Sequence, residues 1–164
     1  MITILVMVIV LAIGVPSFRD LIAHTRMTTA TNSLIAHLQY ARSEAVKRSA
    51  TITVCPSQGG AACDNTADWT GGFIVAVGSA GAVTQVLRRV GGSDMRGVTV
   101  TKNGNYPRFQ FEPDGSAQGY QASLTVCGQS GADDNIRQVR VSSVGRSFVA
   151  CNDPAAYACP VTCP

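Results

Sequence analysis

MITILVMVIVLAIGVPSF, Met1 to Phe18, is the stretch that decides how the rest of this chain is read. It holds no charged side chain, and Ile2, Ile4, Leu5, Val6, Met7, Val8, Ile9, Val10, Leu11 and Ile13 leave no face polar. A helix apolar all round offers water nothing and belongs in lipid or a deep core. At 1.5 Å per residue it is about 27 Å long, close to the roughly 30 Å of a bilayer's hydrocarbon centre. Arg19 and Asp20 mark the return to water. A buried core helix of this length would need a larger domain around it than the remaining residues supply. A cleaved signal peptide would start with basic residues and end at a small-x-small site, unlike Val15-Pro16-Ser17-Phe18. The reading is an anchor that stays attached, with Met1, Leu5, Ile9, Ile13, Pro16 and Phe18 in the membrane segment.

Working outward, residues 19–49 continue the helix in amphipathic form. Pro16 removes one helical hydrogen bond and is expected to bend the axis, with Gly14 loosening the same place. Leu34, Leu38, Ala41 and Ala45 then recur at helical spacing with Ile35 beside them, while Arg42, Glu44, Lys47 and Arg48 fall mostly elsewhere and read as a solvated face. The small alanines predict close approach of a sheet. After Ser49 the period changes to two, and residues 50–151 read as a β domain. Strands are expected at 51–55, 73–77, 83–90, 97–102, 108–111, 123–127, 136–142 and 146–151. Turn signals such as Gly78-Ser79-Ala80-Gly81, Asn103-Gly104 and Pro113-Asp114-Gly115 separate them. Residues 152–164 carry three prolines and no periodicity, and read as an irregular tail.

Charge is sparse at 14%, and the 16 glycines suit a turn-rich β domain. The net charge of +3 sits in residues 1–50, with five basic and two acidic side chains; residues 51–164 hold eight of each. No general polyanion-binding field follows. Cys55, Cys63, Cys127, Cys151, Cys159 and Cys163 all follow residue 50. An even number in a small domain behind an anchor points to disulfides and an oxidising compartment. Zinc is the rival, but there is no C-x-x-C pair and both histidines, His24 and His37, precede every cysteine. Local spacing favours Cys55–Cys63, Cys127–Cys151 and Cys159–Cys163, and leaves other pairings open.

The order of a half-membrane helix and a small cysteine-bearing β domain resembles a type IV pilin or a type II secretion pseudopilin. Closer matches lie in Ala12-Ile13-Gly14-Val15-Pro16-Ser17-Phe18, Ala41-Arg42-Ser43-Glu44-Ala45-Val46-Lys47-Arg48 and Ile52-Thr53-Val54-Cys55-Pro56-Ser57. With Trp69 and Gly72, Leu87-Arg88-Arg89, Phe111-Glu112-Pro113-Asp114-Gly115 and Val144-Gly145-Arg146, these resemble the minor pilins of the GspH/FimT/FimU group over residues 1–151. The resemblance implies an α+β, pilin-like fold: a long N-terminal helix, its first half transmembrane, packed against a β-sandwich-like domain. It implies no cofactor. Expected partners are other major and minor pilins or pseudopilins, the inner membrane, and the assembly platform of a pilus or secretion machine. The expected location is the inner membrane in a single pass, with the globular domain in the periplasm, then a filament. The implied role is assembly, initiation or tip capping of a type IV pilus or a type II secretion pseudopilus.

That group begins with a basic leader, a glycine cut site and a Phe-Thr-Leu-Ile-Glu start. Aligned on Pro16-Ser17-Phe18, the glutamate falls two residues upstream of Met1. The expectation is that the reading frame continues upstream through such a leader.

Enzyme chemistry has little support. No histidine follows His37 to serve a nucleophile, no G-x-G-x-x-G or P-loop occurs, and Glu112 with Asp114 and Asp133 with Asp134 sit in turn-like contexts. Trp69 and Phe73 flank a glycine pair and read as core aromatics. The sharper alternative is DNA uptake, since some FimT-type pilins bind DNA through Gly-Arg-x-Arg near this point. Here the match is Gly145-Arg146-Ser147-Phe148, with Phe148 in place of the second arginine. Arg137, Arg140 and Arg146 are the candidate contacts, on phosphate rather than on bases. Three arginines on edge strands also serve solubility and discourage edge pairing, which is the simpler reading. The 55–63 loop and the tail are further candidate subunit contacts.

Overall fold

The computed structural model describes residues 2–128 and 136–151, with side chains for 21–128 and 136–150. One helix, α1, runs from Ile2 to Arg48. Pro16 falls in its first part, whose side chains lie outside the described residues, as do the anchor residues Met1, Leu5, Ile9, Ile13 and Phe18. Among the described residues no helix is long and apolar enough to cross a membrane.

From Leu21 to Arg26 no helical residue is buried; Leu21 and Ile22 are 60% and 46% exposed. Burial begins at Met27 and continues along Ala30, Leu34, Leu38, Ala41 and Ala45, the stripe set by helical spacing. Ala41 and Ala45 are fully buried, which lets strands approach the backbone closely. The helix ends in a Schellman motif. Ala50 N–H reaches the Ala45 carbonyl at 3.2 Å and Ser49 N–H reaches that of Val46 at 3.4 Å, with Ser49 at φ +47°.

Eight strands follow: β1 Ile52–Pro56, β2 Gly72–Val77, β3 Gln85–Gly91, β4 Val98–Asn103, β5 Phe109–Phe111, β6 Ala122–Gly128, β7 Ile136–Val141 and β8 Ser147–Cys151. A short 3₁₀ turn at Gly92–Met95, absent from the sequence expectations, places Met95 in the core. The strands form two antiparallel sheets, ordered β3-β2-β1-β5 and β4-β6-β7-β8. Both pack on the second part of α1, and one continuous core joins Leu34, Leu38, Ile52, Val54, Phe73, Val100, Phe109, Phe111, Leu124 and Val139. Trp69 lies at its centre, fully buried, with its indole N–H donating to the Pro107 carbonyl at 3.1 Å. That agrees with its reading as a core aromatic.

The strand expected from the Thr51 to Cys55 alternation is present as β1, and it is buried on both faces. Its second face carries Cys55, which joins Ile74 and Ala76 in a smaller cluster with Cys63, Val83 and Val86 against it. The Cys55–Cys63 disulfide folds the intervening loop onto this cluster. Cys127 is also disulfide-bonded. The Cys127–Cys151 pairing favoured by spacing does not fit the sheet. β7 lies between β6 and β8, and two strand spacings separate the backbones by about 9.5 Å, beyond the reach of a disulfide. Cys159 and Cys163 lie outside the described residues.

Candidate functional site

Three stretches far apart in sequence meet at the lower end of α1: the helix around Arg42, the turn after β5, and the turn between β7 and β8. In the first turn Gly115 N–H donates to the Glu112 carbonyl, and Ser116 N–H to Asp114 Oδ1, each at 2.8 Å. In the second, Gly145 N–H donates to the Ser142 carbonyl at 2.9 Å, and Ser142 Oγ accepts from Arg146 N–H at 3.1 Å. The turns are joined by Ala117 N–H to the Ser143 carbonyl, at 2.7 Å. Arg42 Nε caps the junction by donating to the Gly115 carbonyl at 3.0 Å.

Gly145 explains why the turns can close on each other. Its φ is +75°, and a Cβ there would collide with the Gly115 carbonyl. The consequence is placement: Arg146 is held at the mouth of a groove between α1 and β8. The groove is about 730 Å³ and is lined by Gln39, Arg42, Ser43, Val46, Lys47 and the 145–148 segment.

Its electrostatics are one-sided. Arg42, Lys47 and Arg146 line it, and no acid does among the described residues. Lys47 is engaged with Glu44 at 3.5 Å, and Arg48 binds the same carboxylate at 2.7 Å. The Arg48 hydrogen bond, more than the nearby charges, holds the Glu44 carboxyl below its ordinary range. Glu44 was expected on a solvated face, and it is instead buried against the domain. Arg42 and Arg146 have no carboxylate within salt-bridge distance among the described residues.

The DNA candidates are not gathered into one site. Arg137 and Arg140 lie three residues apart on β7, opposite Val126 and Ser123, so their side chains leave opposite faces of the sheet. Arg140 lines a separate depression with Gln121, Ala122 and Ser123. Only Arg146 reaches the groove, and its companions there, Arg42 and Lys47, come from the helix. Sequence reading missed them as site residues, although both stand in the Ala41–Arg48 motif.

A second cationic cluster lies elsewhere and is mostly satisfied internally. Lys102 is buried, its ammonium donates to the Tyr106 carbonyl, and it sits 4.6 Å from the Phe109 ring centroid. Burial, with Arg108 adding repulsion, pushes its pKa down to about 8. It clamps the 103–108 loop. Among the described residues no group of histidine, cysteine or acidic side chains could hold a metal ion.

A long helix roofed over its second part by two antiparallel sheets, with its first described turns bare, defines a pilin-type subunit. The chain belongs to the GspH family: the model of the type II transport protein GspH matches residues 30–145. It is thus a minor pilin or pseudopilin of the GspH/FimT/FimU group. Among solved structures it is similar to the type IV minor pilin FimU of Pseudomonas aeruginosa strain PAO1. In one crystal form the identity is 25% and the TM-score 0.65, covering 78% of this chain and 90% of that one. In a second the identity is 25% and the TM-score 0.61, covering 76% and 93%. None of the curated proteins matches the sequence.

Proposed function

We propose that this chain is a non-enzymatic subunit that helps initiate or cap a type IV pilus or a type II secretion pseudopilus. Residues 1–18 tether it to the inner membrane, with 50–151 in the periplasm, until the helix moves from lipid into the filament. The observation that carries the reading is the division of α1. Among the described side chains, which begin at Leu21, burial by the chain's own sheets starts at Met27, although the helix starts at Ile2. Those first 25 residues are about 38 Å of rod, long enough to cross a bilayer's hydrocarbon centre and then to pack among neighbouring helices. Leu21 and Ile22, exposed on a bare helical segment, are apolar surface of the kind that marks an interaction site. Major and minor pilins or pseudopilins and the assembly platform are the partners this implies. The test is fractionation of cells making the full-length product. Recovery in the inner membrane, and in sheared filaments when assembly is active, is expected. Recovery as a freely dissolved monomer would overturn the reading.

DNA capture is the second reading, and one observation favours it: Arg146 stands beside Arg42 and Lys47 in one groove. Against it, Arg137 and Arg140 leave opposite faces of the sheet, so these candidates form no extended row of cations to follow a phosphate backbone among the described residues.

A further inference from the structure

The groove between α1 and β8 has a chemistry that filament membership alone does not account for. We infer that it is a docking site for an acidic, partly apolar extended segment of a neighbouring subunit, with Arg42 and Arg146 receiving the carboxylates; the inference rests on the filament-subunit reading above. Four observations carry it.

The cations come first. The Arg42 Nε is spent on the Gly115 carbonyl, which fixes the guanidinium and leaves its two terminal nitrogens with no partner among the described residues. Arg146 is exposed, and the Ser142–Arg146 turn bonds hold its backbone. Two arginines line one concavity, Arg42 held by the Gly115 carbonyl and Arg146 standing 6.0 Å from the Phe148 ring centroid, and both keep guanidinium nitrogens for carboxylate oxygens.

Second, a neutral donor waits in the same wall. Ser147 is nine-tenths buried and lines the groove, yet its hydroxyl has no hydrogen-bond partner among the described residues. A buried hydroxyl left unpaired has a cost, and because its oxygen is closed to solvent a small shift of the 145–148 segment would bring it to an incoming acceptor.

Third, the surroundings are apolar. Val46, Val144 and Phe148 are 52%, 62% and 36% exposed; Val46 and Phe148 line the groove, and Val144 adjoins it in the turn. They are half of the large hydrophobic side chains exposed among the described residues. An apolar patch set beside cations suits a protein partner, whose interface combines a hydrophobic centre with a polar rim.

Fourth, the site is compact. Two unpaired cations in a concavity of about 730 Å³ suit a few side chains. A duplex would gain affinity by contacting many phosphates in a row.

The experiment uses the full-length chain in detergent micelles and two labelled eight-residue peptides, one alternating leucine with glutamate and one alternating leucine with glutamine. A labelled duplex DNA is the third probe, and binding is read by fluorescence anisotropy at low and moderate salt. The glutamate peptide is expected to bind at least about fivefold more tightly than its glutamine counterpart. Arg146→Gln is expected to weaken the glutamate peptide about tenfold, the loss of one charge-assisted pair. Arg146→Lys should recover part of that loss, Ser147→Ala should weaken binding about threefold, and Arg140→Gln should leave it unchanged. Equal binding of the two peptides overturns the inference, as does an equal loss from Arg140→Gln. Tighter binding of the duplex, lost with Arg146→Gln, would make the groove a phosphodiester site. If the chain enters filaments normally but neither peptide binds, the docking site fails and the filament reading stands.

Discussion

The two described parts of α1 belong to one uninterrupted helix but live under different physics. From Met27 to Ala45 its apolar stripe is covered by the chain's own sheets; from Leu21 to Arg26 no residue is buried, and the Arg26 side chain reaches back along Gly97. Leu38 and Leu21 are the same side chain on the same rod, at 1% and 60% exposure. The lower part therefore pays into the stability of the subunit, while the upper part contributes to what the subunit joins. A continuous helix is a suitable link between them, because its hydrogen bonds are internal and it transmits position without needing contacts along the way.

Truncating Leu38 should break that contrast most visibly. Leu38→Ala leaves a cavity among strands of both sheets and should cost about 3 kcal/mol, lowering Tm by roughly 6–12 °C for a chain of this size. Leu21→Ala should change stability by less than about 0.5 kcal/mol. Thermal unfolding of the two variants in the same detergent measures both. A comparable loss from Leu21→Ala would show that the upper helix is packed within the subunit after all.

Gly145→Ala probes the junction at which the lower helix is roofed. Alanine must adopt φ +75° and push against the Gly115 carbonyl, so the 112–116 turn has to retreat from Arg42. A loss of about 2 kcal/mol is expected, smaller than the cavity because turns can shift where the core cannot. Denaturant midpoints would check it, with Gly81→Ala as the control, since a Cβ there meets open space.

How much of this the sequence disclosed follows the same division. Local signals were readable: the all-apolar start, the Leu34-Leu38-Ala41-Ala45 spacing, the strand positions within a residue or two, and the turn glycines. Features created by strand order were not. The burial of β1 on both faces depends on the Cys55–Cys63 loop folding back over it, which alternation along one strand cannot register. Cys127–Cys151 looked natural by separation, and β7 stands between them. The groove was the least visible, because Arg42 and Arg146 are neighbours only through the sheet that carries the 142–146 turn back to the helix. The motifs around both were noticed as family marks, with no signal that they form one place.

Acid sharpens the contrast further, since Glu44 is the one carboxylate among the described side chains of α1. Its folded pKa is lowered from 4.5, first by the Arg48 hydrogen bond, so the folded state binds fewer protons than the unfolded chain just below that value. The stabilisation is complete above the unfolded pKa and is lost as pH falls through the folded one. A plot of Tm against pH should therefore fall less steeply below about pH 4.5 in Glu44→Gln than in the parent. Identical slopes would show that the Lys47 and Arg48 pairs add nothing beyond what solvent provides.

The smallest effect belongs to the last turn. Ser49 closes the Schellman motif with φ +47°, a left-handed conformation that a side chain disfavours and glycine adopts freely. Both capping hydrogen bonds are made by backbone atoms, so replacing the side chain removes strain without removing a bond. Glycine also loosens the unfolded chain, which offsets part of the gain. Ser49→Gly should therefore stabilise the subunit by about 0.5 kcal/mol, read as a slightly higher denaturant midpoint at unchanged slope. Because the site terminates the roofed part of the rod, the gain should appear in domain stability and leave recovery in the membrane fraction unaltered. A drop in stability would mean that the serine hydroxyl is held by a partner outside the described residues, and the helix end would then be fixed by more than its backbone.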